Sequence, residues 1–320
     1  VLRKVGGRSE SEWVAELAPP DPIGAQALAS AHPEWIARAF AQALGDTGAE
    51  LRAALQADDE RPIVHLVARP GEISNEELAA IVGGEPAPYS PYGVHLDSGD
   101  PADLPPVRDR LAAVQDEGSQ LCALALTRVE LRGSDERWLD VCAGPGGKAA
   151  LLGALAGLQG ARVDAVEPAE HRAALVRKAC AGLPVSVSVV DGRDSGLEPG
   201  YDRILVDAPC SGLGALRRRP EARWRRRPGD VAELAKLQRE LVLAALDLLR
   251  PGGVLGYVVC SPHLPETVSV VAEVRRRSGA TELDARQYFP PMPELGEGPS
   301  VQLWPHRHGT DAMFCALLRK

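Results

Sequence analysis

Aromatic residues are scarce in this 320-residue chain: they make up 4% of it, whereas hydrophobic residues as a whole make up 45%. The core must therefore consist mainly of Ala, Leu and Val, and the length is ample for two domains. Long apolar runs are absent, which excludes a membrane-spanning helix and a membrane partner. The start, VLRKVGGRSESEW, is too polar for a signal peptide and lacks Met, which indicates a piece of a longer chain. We expect a globular protein of the cytoplasm.

Closely spaced cysteines are also absent. The six cysteines lie at positions 122, 142, 180, 210, 260 and 315, and without a CxxC pair we expect no zinc site and no other bound metal. Free thiols in a reducing cytoplasm are the expectation. Most such thiols are small buried apolar groups, which fits Cys122, Cys180 and Cys315, so a functional cysteine needs a specific argument.

Positive charge is in short supply, since the net charge is −8, and taken alone this argues against a nucleic-acid-binding protein. The exception is residues 217–227, RRRPEARWRRR, with seven Arg against one Glu. A solvated surface usually mixes the signs of its charges, so we favour a phosphate-binding patch over an ordinary exposed face. The residues assigned to this patch are Arg217, Arg218, Arg219, Arg223 and Arg225.

The chain divides into three parts by pattern. Residues 1–57 contain HPEWIARAFAQAL, whose apolar spacing predicts a helical segment. Residues 58–106 combine the predicted strands PIVHLVA and YGVHL with the predicted helix SNEELAAIV, in which Ser74 and Glu77 have capping-box spacing. This second part is predicted to be a small α+β module.

Residues 107–320 alternate between strand and helix patterns after a lead-in helix predicted over VRDRLAAVQDEGSQLCALAL. Predicted strands are RWLDVCA, RVDAVEP, VSVSVVD, YDRILVDAPC and VLGYVVCS, and a long helix is predicted over 230–249. The ending, VQLWPHRHGTDAMFCALLRK, is predicted to form two strands joined by a turn. Such alternation predicts an α/β fold with a doubly wound, largely parallel sheet.

The first of these strands leads into a glycine-rich turn, LDVCAGPGGKAALL, in which Gly144, Gly146 and Gly147 allow backbone amides to face an anion. Glu167 ends the next strand, about twenty residues further on, where an acidic side chain can hold ribose hydroxyls. Asp191 ends the third strand at the same edge of the sheet. Together these features predict a nucleotide site.

The type of nucleotide follows from what this turn lacks. Neither the dinucleotide pattern GxGxxG nor the phosphate-loop pattern GxxxxGK[ST] is present. An adenosine cofactor without a polyphosphate fits better. S-adenosyl-L-methionine (SAM) offers a ribose to Glu167 and a carboxylate to the turn and to Lys148.

Two cysteines follow neighbouring predicted strands, Cys210 in LVDAPCSGLG and Cys260 in VLGYVVCS. Adjacent strands lie about 4.8 Å apart, so both thiols can reach one ligand beside the cofactor. A thiolate that adds to carbon 6 of a cytosine lets carbon 5 attack a methyl sulfonium, and a second group is then needed for product release. Asp207 can hydrogen-bond the N3 and N4 edge of the base. These residues alone leave open which thiol attacks.

The segments LDVCAGPGGK, VDAPCSGLGALRRRPEARW and VVCSPHLPE resemble the Sun/RsmB family of RNA cytosine-5 methyltransferases, and VQDEGSQL and PHRHGTDAMFCALL resemble its flanking segments. The resemblance implies a Rossmann-like class I SAM-dependent methyltransferase fold, with a mostly parallel seven-stranded sheet, and a smaller N-terminal helical plus α+β RNA-binding module. It implies that Cys260 is the nucleophile and that Cys210 assists product release. It places the SAM contacts at Cys142, Ala143, Gly144, Pro145, Gly146, Gly147, Lys148, Glu167, Asp191 and Asp207.

The segment HPEWIARAF most resembles the bacterial enzyme that methylates 16S ribosomal RNA (rRNA), so we expect that RNA as substrate and partner of a monomeric enzyme. That enzyme usually carries a further N-terminal domain resembling the antitermination factor NusB, which is missing here. The alternatives are the same chemistry on tRNA, a catalytically silent SAM-binding factor for rRNA assembly, and a small-molecule methyltransferase. The intact Cys260, Cys210 and Asp207 argue against the silent factor. His263 and His306 receive no role beyond surface or packing positions.

Overall fold

The computed structural model describes residues 6–320, and residues 1–5 of the predicted helical segment lie outside the described residues. Residues 6–57 form four helices, as their apolar spacing predicted: α1 (Glu10–Leu17), α2 (Pro22–Ala29), α3 (Glu34–Leu44) and α4 (Ala49–Ala57). Helix α3 buries one apolar face, including Ile36 and Phe40, and ends at Gly45, whose φ of 67° suits a residue without a side chain.

The next part is a small antiparallel sheet with the strand order β2-β3-β1-β4. Its elements are β1 (Val64–Ala68), α5 (Asn75–Val82), β2 (Glu85–Pro86), β3 (Gly93–Leu96), α6 (Pro105–Arg108) and β4 (Ala112–Val114). The oxygen of Ser74 accepts a hydrogen bond from the Glu77 amide at the start of α5, as predicted. An apolar cluster between this sheet and α5 gives the part its own small core.

One prediction is wrong, namely the continuous lead-in helix over VRDRLAAVQDEGSQLCALAL. The chain leaves α6 through Arg110, which has a φ of 64°, and β4 then pairs with β1 in the small sheet. Helix α7 (Glu117–Arg128) begins only after Asp116, whose carboxylate caps it by accepting from the Ser119 amide. Strand pairing therefore overrides the helical pattern here, and the small sheet extends beyond residue 106.

The large sheet has eight strands. Seven of them follow the order β10-β12-β9-β8-β5-β6-β7, and β11 pairs with β12. The five strands from β9 to β7 are parallel, whereas β12 is antiparallel to β9. This order confirms the mostly parallel seven-stranded sheet and adds β11. The strands are β5 (Arg137–Asp140), β6 (Arg162–Val166), β7 (Val185–Ser188), β8 (Tyr201–Asp207), β9 (Leu249–Val259), β10 (Thr281–Leu283), β11 (Val301–Gln302) and β12 (Phe314–Arg319).

Helices cover both faces of the large sheet. One face packs against α7, α8 (Gly147–Gln159) and α9 (Glu170–Ala179), and the other against α11 (Pro228–Leu248) and α12 (Val268–Ser278). Strand β8 shows the alternation that this requires, since Leu205 joins the first core and Ile204 and Val206 join the second. Two four-residue helices lie in connections: α10 (Ala222–Arg225), before α11, and α13 (Pro305–His308), between β11 and β12.

The N-terminal helices pack against the loop that follows β8 and against the segment before β12. Their apolar side chains form one cluster with Leu213, Leu216 and Trp304, which lie in the loop after Cys210 and in the segment before β12. The rings of Phe40 and Trp304 meet edge to face at 5.5 Å. In the part of the chain that the structure describes, none of the helices is both long and apolar enough to cross a bilayer.

Candidate active site

The glycine-rich turn joins the end of β5 to the start of α8, and two of its glycines are required by close contacts. A Cβ atom on Gly144 would lie 2.2 Å from Oε2 of Glu167. Gly146 has a φ of 116°, and a Cβ atom there would lie 2.8 Å from the Cβ of Ala179. The turn therefore approaches both the residue after β6 and the end of α9 closely, and it can do so only because these two positions carry no side chain.

The predicted acidic residues lie at the carboxyl edge of the sheet. Glu167 is buried and accepts a hydrogen bond from the Ala169 amide. Asp191 is more exposed, and its hydrogen bonds from Arg193 lower the pKa of its carboxyl group. The next residue, Gly192, packs against the end of β5, since a Cβ atom there would lie 2.4 Å from Cγ1 of Val141. The loop that carries Asp191 thus contacts the strand that leads into the turn.

Asp140, the last residue of β5, is a buried acidic residue that the sequence reasoning missed. Its Oδ1 accepts from the Cys142 amide at 3.2 Å, and within residues 6–320 its buried Oδ2 has no hydrogen-bond partner. Burial, reinforced by the charge of Asp207, raises the pKa of Asp140 to about 7. The signal in the sequence was a carboxylate at the end of an otherwise apolar strand.

The two cysteines that follow β8 and β9 meet in space. The two strands are parallel neighbours, with Asp207 opposite Val258, and Sγ of Cys210 lies 3.3 Å from Sγ of Cys260. The hydrogen bond with Cys210 lowers the pKa of the Cys260 thiol, although burial works in the opposite direction. The same bond, together with burial, raises the pKa of Cys210. These directions favour Cys260 as the thiolate of the pair, the state in which Cys210 donates the hydrogen bond between the two sulfurs.

A buried carboxylate, Glu266, holds the two cysteine loops together. It accepts hydrogen bonds from the Ser211 amide at 2.7 Å, the Ser211 hydroxyl at 2.5 Å and the Ser261 hydroxyl at 2.8 Å. The amide of Gln238 donates to it at 3.2 Å. Each serine directly follows one of the two cysteines, so Glu266 fixes their relative position. Glu266 is the last residue of the motif VVCSPHLPE, and the motif alone did not indicate a role for it.

Lys148 and Asp207 form an ion pair beside the thiols. Nζ of Lys148 lies 2.8 Å from Oδ2 of Asp207, and the lysine is buried whereas Asp207 is partly exposed. Burial alone would lower the pKa of Lys148, but the charge and hydrogen bond of Asp207 outweigh it and raise that pKa. The predicted contact of Lys148 with a cofactor carboxylate stays a prediction, since its partner in the structure is Asp207.

The five arginines assigned to a phosphate-binding patch do not form one. Arg217 is buried between Asp116 (2.8 Å) and Asp311 (3.2 Å), and Arg218 also pairs with Asp311. Arg223 is buried and pairs with Asp59 at 2.7 Å. These three hold chain segments together, because each meets carboxylates that are remote in sequence. Arg219 and Arg225 are exposed, and their contact with RNA stays a prediction.

The remaining cysteines and the two histidines have the packing roles that the sequence suggested. Cys122, Cys180 and Cys315 are buried. The ring of His263 lies 6.4 Å from that of Trp35, and Nε2 of His306 lies 3.1 Å from a carboxylate oxygen of Glu50. Both histidines therefore join the catalytic part to the N-terminal helices.

A groove of about 640 Å³ lies beside the glycine-rich turn, between the small sheet and helices α8 and α9. Pro145 and Gly147 line one end of it, the rest of its lining includes the cations Arg69, Arg108, Arg110 and Lys178, and no carboxylate lines it. Over the described residues 6–320, Arg108, Arg110 and Lys178 form no ion pair with a carboxylate. The groove thus offers uncompensated positive charge on a chain with a net charge of −8.

Comparison with known proteins assigns the chain to a family. Residues 128–319 match the family described as 16S rRNA methyltransferase RsmB/F. The chain belongs to this family. A Mycobacterium tuberculosis protein named as a methyltransferase is 62% identical over 100% of this chain and 71% of its own length. The ribosomal RNA small subunit methyltransferase B of Enterobacter sp. is 34% identical, covering 98% of this chain and 71% of its own.

Solved structures confirm the Rossmann-like methyltransferase fold of this RsmB/F family member. NSun6 from Pyrococcus horikoshii superposes with a TM-score of 0.77 at 19% identity, covering 90% of this chain and 98% of its own. A methyltransferase homologue from the same organism gives a TM-score of 0.75 at 21% identity, covering 94% and 99%. The resemblance inferred from the three sequence motifs is confirmed by the family match over residues 128–319 and by the 34% identical relative.

Proposed function

We propose that this RsmB/F methyltransferase uses SAM to methylate carbon 5 of a cytosine in 16S rRNA. The observation that carries the proposal is the pair of sulfurs 3.3 Å apart, with the pKa of Cys260 lowered and that of Cys210 raised. Methyl transfer by itself needs no thiol, whereas carbon 5 of cytosine needs a nucleophile on carbon 6. The family description and the name of the Enterobacter relative support rRNA as the substrate.

The residues around the glycine-rich turn fit SAM. The turn at 142–148 lies against Glu167, and the buried Oδ2 of Asp140 is an acceptor without a partner in the described residues. Glu167 suits the ribose hydroxyls, and the amides at the start of α8 suit an anionic group. When bound, SAM supplies a methyl group on a positively charged sulfur. The groups that would hold it are the turn, Glu167 and Asp191.

Cys260 is the nucleophile in this mechanism. Its thiolate adds to carbon 6 of the flipped cytosine, which makes carbon 5 electron-rich. Asp207, partly exposed next to it, accepts a hydrogen bond from the N4 amino group of the base and shares a proton with N3, the ring nitrogen that gains electron density as the thiolate adds. Lys148 fixes the orientation of the Asp207 side chain through their ion pair at 2.8 Å.

Cys210 removes the proton that carbon 5 must lose. Before reaction its pKa is raised, first of all by its hydrogen bond to Cys260. That cause disappears once the Cys260 sulfur is bonded to carbon 6, because the sulfur is no longer an anion. Cys210 then gives up its own proton to solvent more easily, and the resulting thiolate can act as a base. When it takes the carbon 5 proton, the electron pair forms the C5=C6 double bond and Cys260 leaves as a thiolate.

The test is an RNA that contains 5-fluorocytosine, incubated with the protein and SAM. Fluorine cannot leave as a proton does, so a covalent adduct should appear as a shifted band on a denaturing gel with 16S rRNA fragments. The band should vanish with Cys260→Ala and persist with Cys210→Ala. The same assay with tRNA containing 5-fluorocytosine shows whether the substrate is rRNA or tRNA. No band on either RNA, or a band that survives Cys260→Ala, would contradict the mechanism.

A further inference from the structure

Trp224 is an exposed aromatic side chain in a protein that has few aromatics. Its side chain is 66% exposed, and no other aromatic residue within 6–320 is as open to solvent. No ring or guanidinium group in that part of the chain stacks on it. Tryptophan has the largest apolar side chain. An exposed tryptophan therefore loses the large favourable free energy that burial of its surface would give.

Trp224 is nevertheless held firmly. It lies in α10, between two arginines whose guanidinium groups are fixed to the protein. On one side Arg223 is buried and donates to Asp59 at 2.7 Å and to the Asp58 carbonyl at 3.2 Å. On the other side Arg226 donates to the Ser211 carbonyl at 3.0 Å and reaches the Cys210 carbonyl at 3.4 Å. The indole is therefore presented on a fixed backbone that contacts the loop of Cys210.

The surroundings of Trp224 are positively charged. Arg219, Arg225 and Arg227 are exposed, and over residues 6–320 none of their guanidinium groups forms an ion pair with a carboxylate, although the Arg227 amide donates to Asp230. The only negatively charged side chain within residues 217–227 is that of Glu221. An exposed indole among free guanidinium groups suits a partner that has flat aromatic faces joined by negative charges, which is the chemistry of single-stranded RNA.

We propose that Trp224 is a stacking platform for an unpaired base next to the target cytosine, with Arg219 and Arg225 facing the phosphates beside it. The inference rests on the proposed RNA substrate and adds a binding residue to it. Because a flipped cytosine leaves its neighbours partly unstacked, a surface close to the Cys210 loop can compensate for the lost stacking. Trp224 then contributes to RNA affinity and not to the chemistry at the two sulfurs.

The first test measures methyl transfer to a 16S rRNA fragment that the wild-type chain methylates. Trp224→Ala should raise the KM for RNA about 5- to 100-fold, the range expected for loss of one base stack, and leave kcat within about two-fold. Trp224→Phe retains a ring and should keep most of the affinity. The control is Leu158→Ala, which removes another exposed apolar side chain, 61% exposed, from the far end of α8.

The second readout does not depend on catalysis. Stacking of a base should quench the indole, so the emission that wild type shows in excess of Trp224→Phe should fall when RNA is added. The proposal that Trp224 stacks on a base would be contradicted by an unchanged KM in Trp224→Ala. It would also be contradicted if RNA did not alter the emission that wild type shows in excess of Trp224→Phe. If wild type methylates RNA and these results are negative, only this inference fails. If wild type methylates no RNA, the proposed function itself fails.

Discussion

Replacing Glu266 with glutamine tests whether this buried carboxylate sets the geometry of the thiol pair. Glu266 is fully buried, and its four donors come from Ser211, Ser261 and Gln238. Its Oε1 accepts from two fixed N–H groups, whereas its Oε2 accepts from two hydroxyls that can rotate. The substituted side chain would therefore keep its oxygen on the N–H side and turn its amide toward the hydroxyls.

The expected magnitude follows from those four hydrogen bonds. A hydrogen bond to a charged group is worth roughly 1.5–3 kcal/mol and a neutral one roughly 0.5–1.5 kcal/mol. Part of the loss is offset, because a neutral amide costs less to bury than a carboxylate. We expect Glu266→Gln to lower the free energy of unfolding by about 1–3 kcal/mol, measured by urea denaturation. The rate of the fluorocytosine adduct should fall as well, because loosened loops separate Cys210 from Cys260.

Glu273→Gln is the matched control. Glu273 lies on α12, and among the described residues 6–320 its carboxylate pairs only with Arg276, so its replacement should leave the free energy of unfolding within the error of the wild-type value. The reasoning would be refuted by a Glu266→Gln protein as stable as this control with an unchanged adduct rate. A stability loss without any change in that rate would make Glu266 a folding residue only.

Two further predictions concern the thiols and the groove. The adduct rate should rise with pH and level off below the ordinary pKa of a cysteine, because the hydrogen bond from Cys210 lowers the pKa of Cys260. Cys210→Ala removes that donor and should move the midpoint to higher pH in a stopped-time adduct assay, and an unmoved midpoint would show that the bond does not tune Cys260. Arg110→Glu and Lys178→Glu in the groove should each weaken RNA binding and reduce the slope of log Kd against log salt by about 0.7 per lost phosphate contact. Arg277→Glu, at the end of α12 on the opposite face of the sheet, should leave that slope unchanged, and equal slopes in all three variants would exclude the groove as an RNA contact.

The proximity of the two cysteines could be predicted because it follows from strand order. Parallel strands end at one edge of a sheet, so residues just past β8 and β9 had to be neighbours once the order was assigned. The close approach of Gly144 to Glu167 follows from the same rule. What the pattern could not supply was the role of Glu266, because its importance comes from burial and from partners on other segments. A single carboxylate in a loop has no signature that separates it from a surface residue.

The arginine run shows the limit of reading charge from composition. Arg217 and Arg223 belong to the same arginine-rich run as Arg219 and Arg225, yet the side chains of the first two are buried. The difference lies in Asp116, Asp311 and Asp59, which are far away along the chain and meet the run only after folding. The prediction of a continuous lead-in helix was wrong for a related reason. Its apolar spacing could not show that part of the segment pairs with β1 as a strand.

The segment VQDEGSQL shows how a motif without chemistry can still belong to the site. Asp116 accepts from Arg217 and from the Asp311 amide, which joins α7 to the loop after Cys210 and to the segment before β12. The adjacent Glu117 accepts from the amides of Tyr89 and Ser90 in the small module, both at 2.7 Å. These two carboxylates therefore couple the small module to the loop that carries Cys210. An RNA held by that module would meet the two sulfurs in a fixed relation, because the connection runs through a buried ion pair and buried hydrogen bonds and not through a flexible linker.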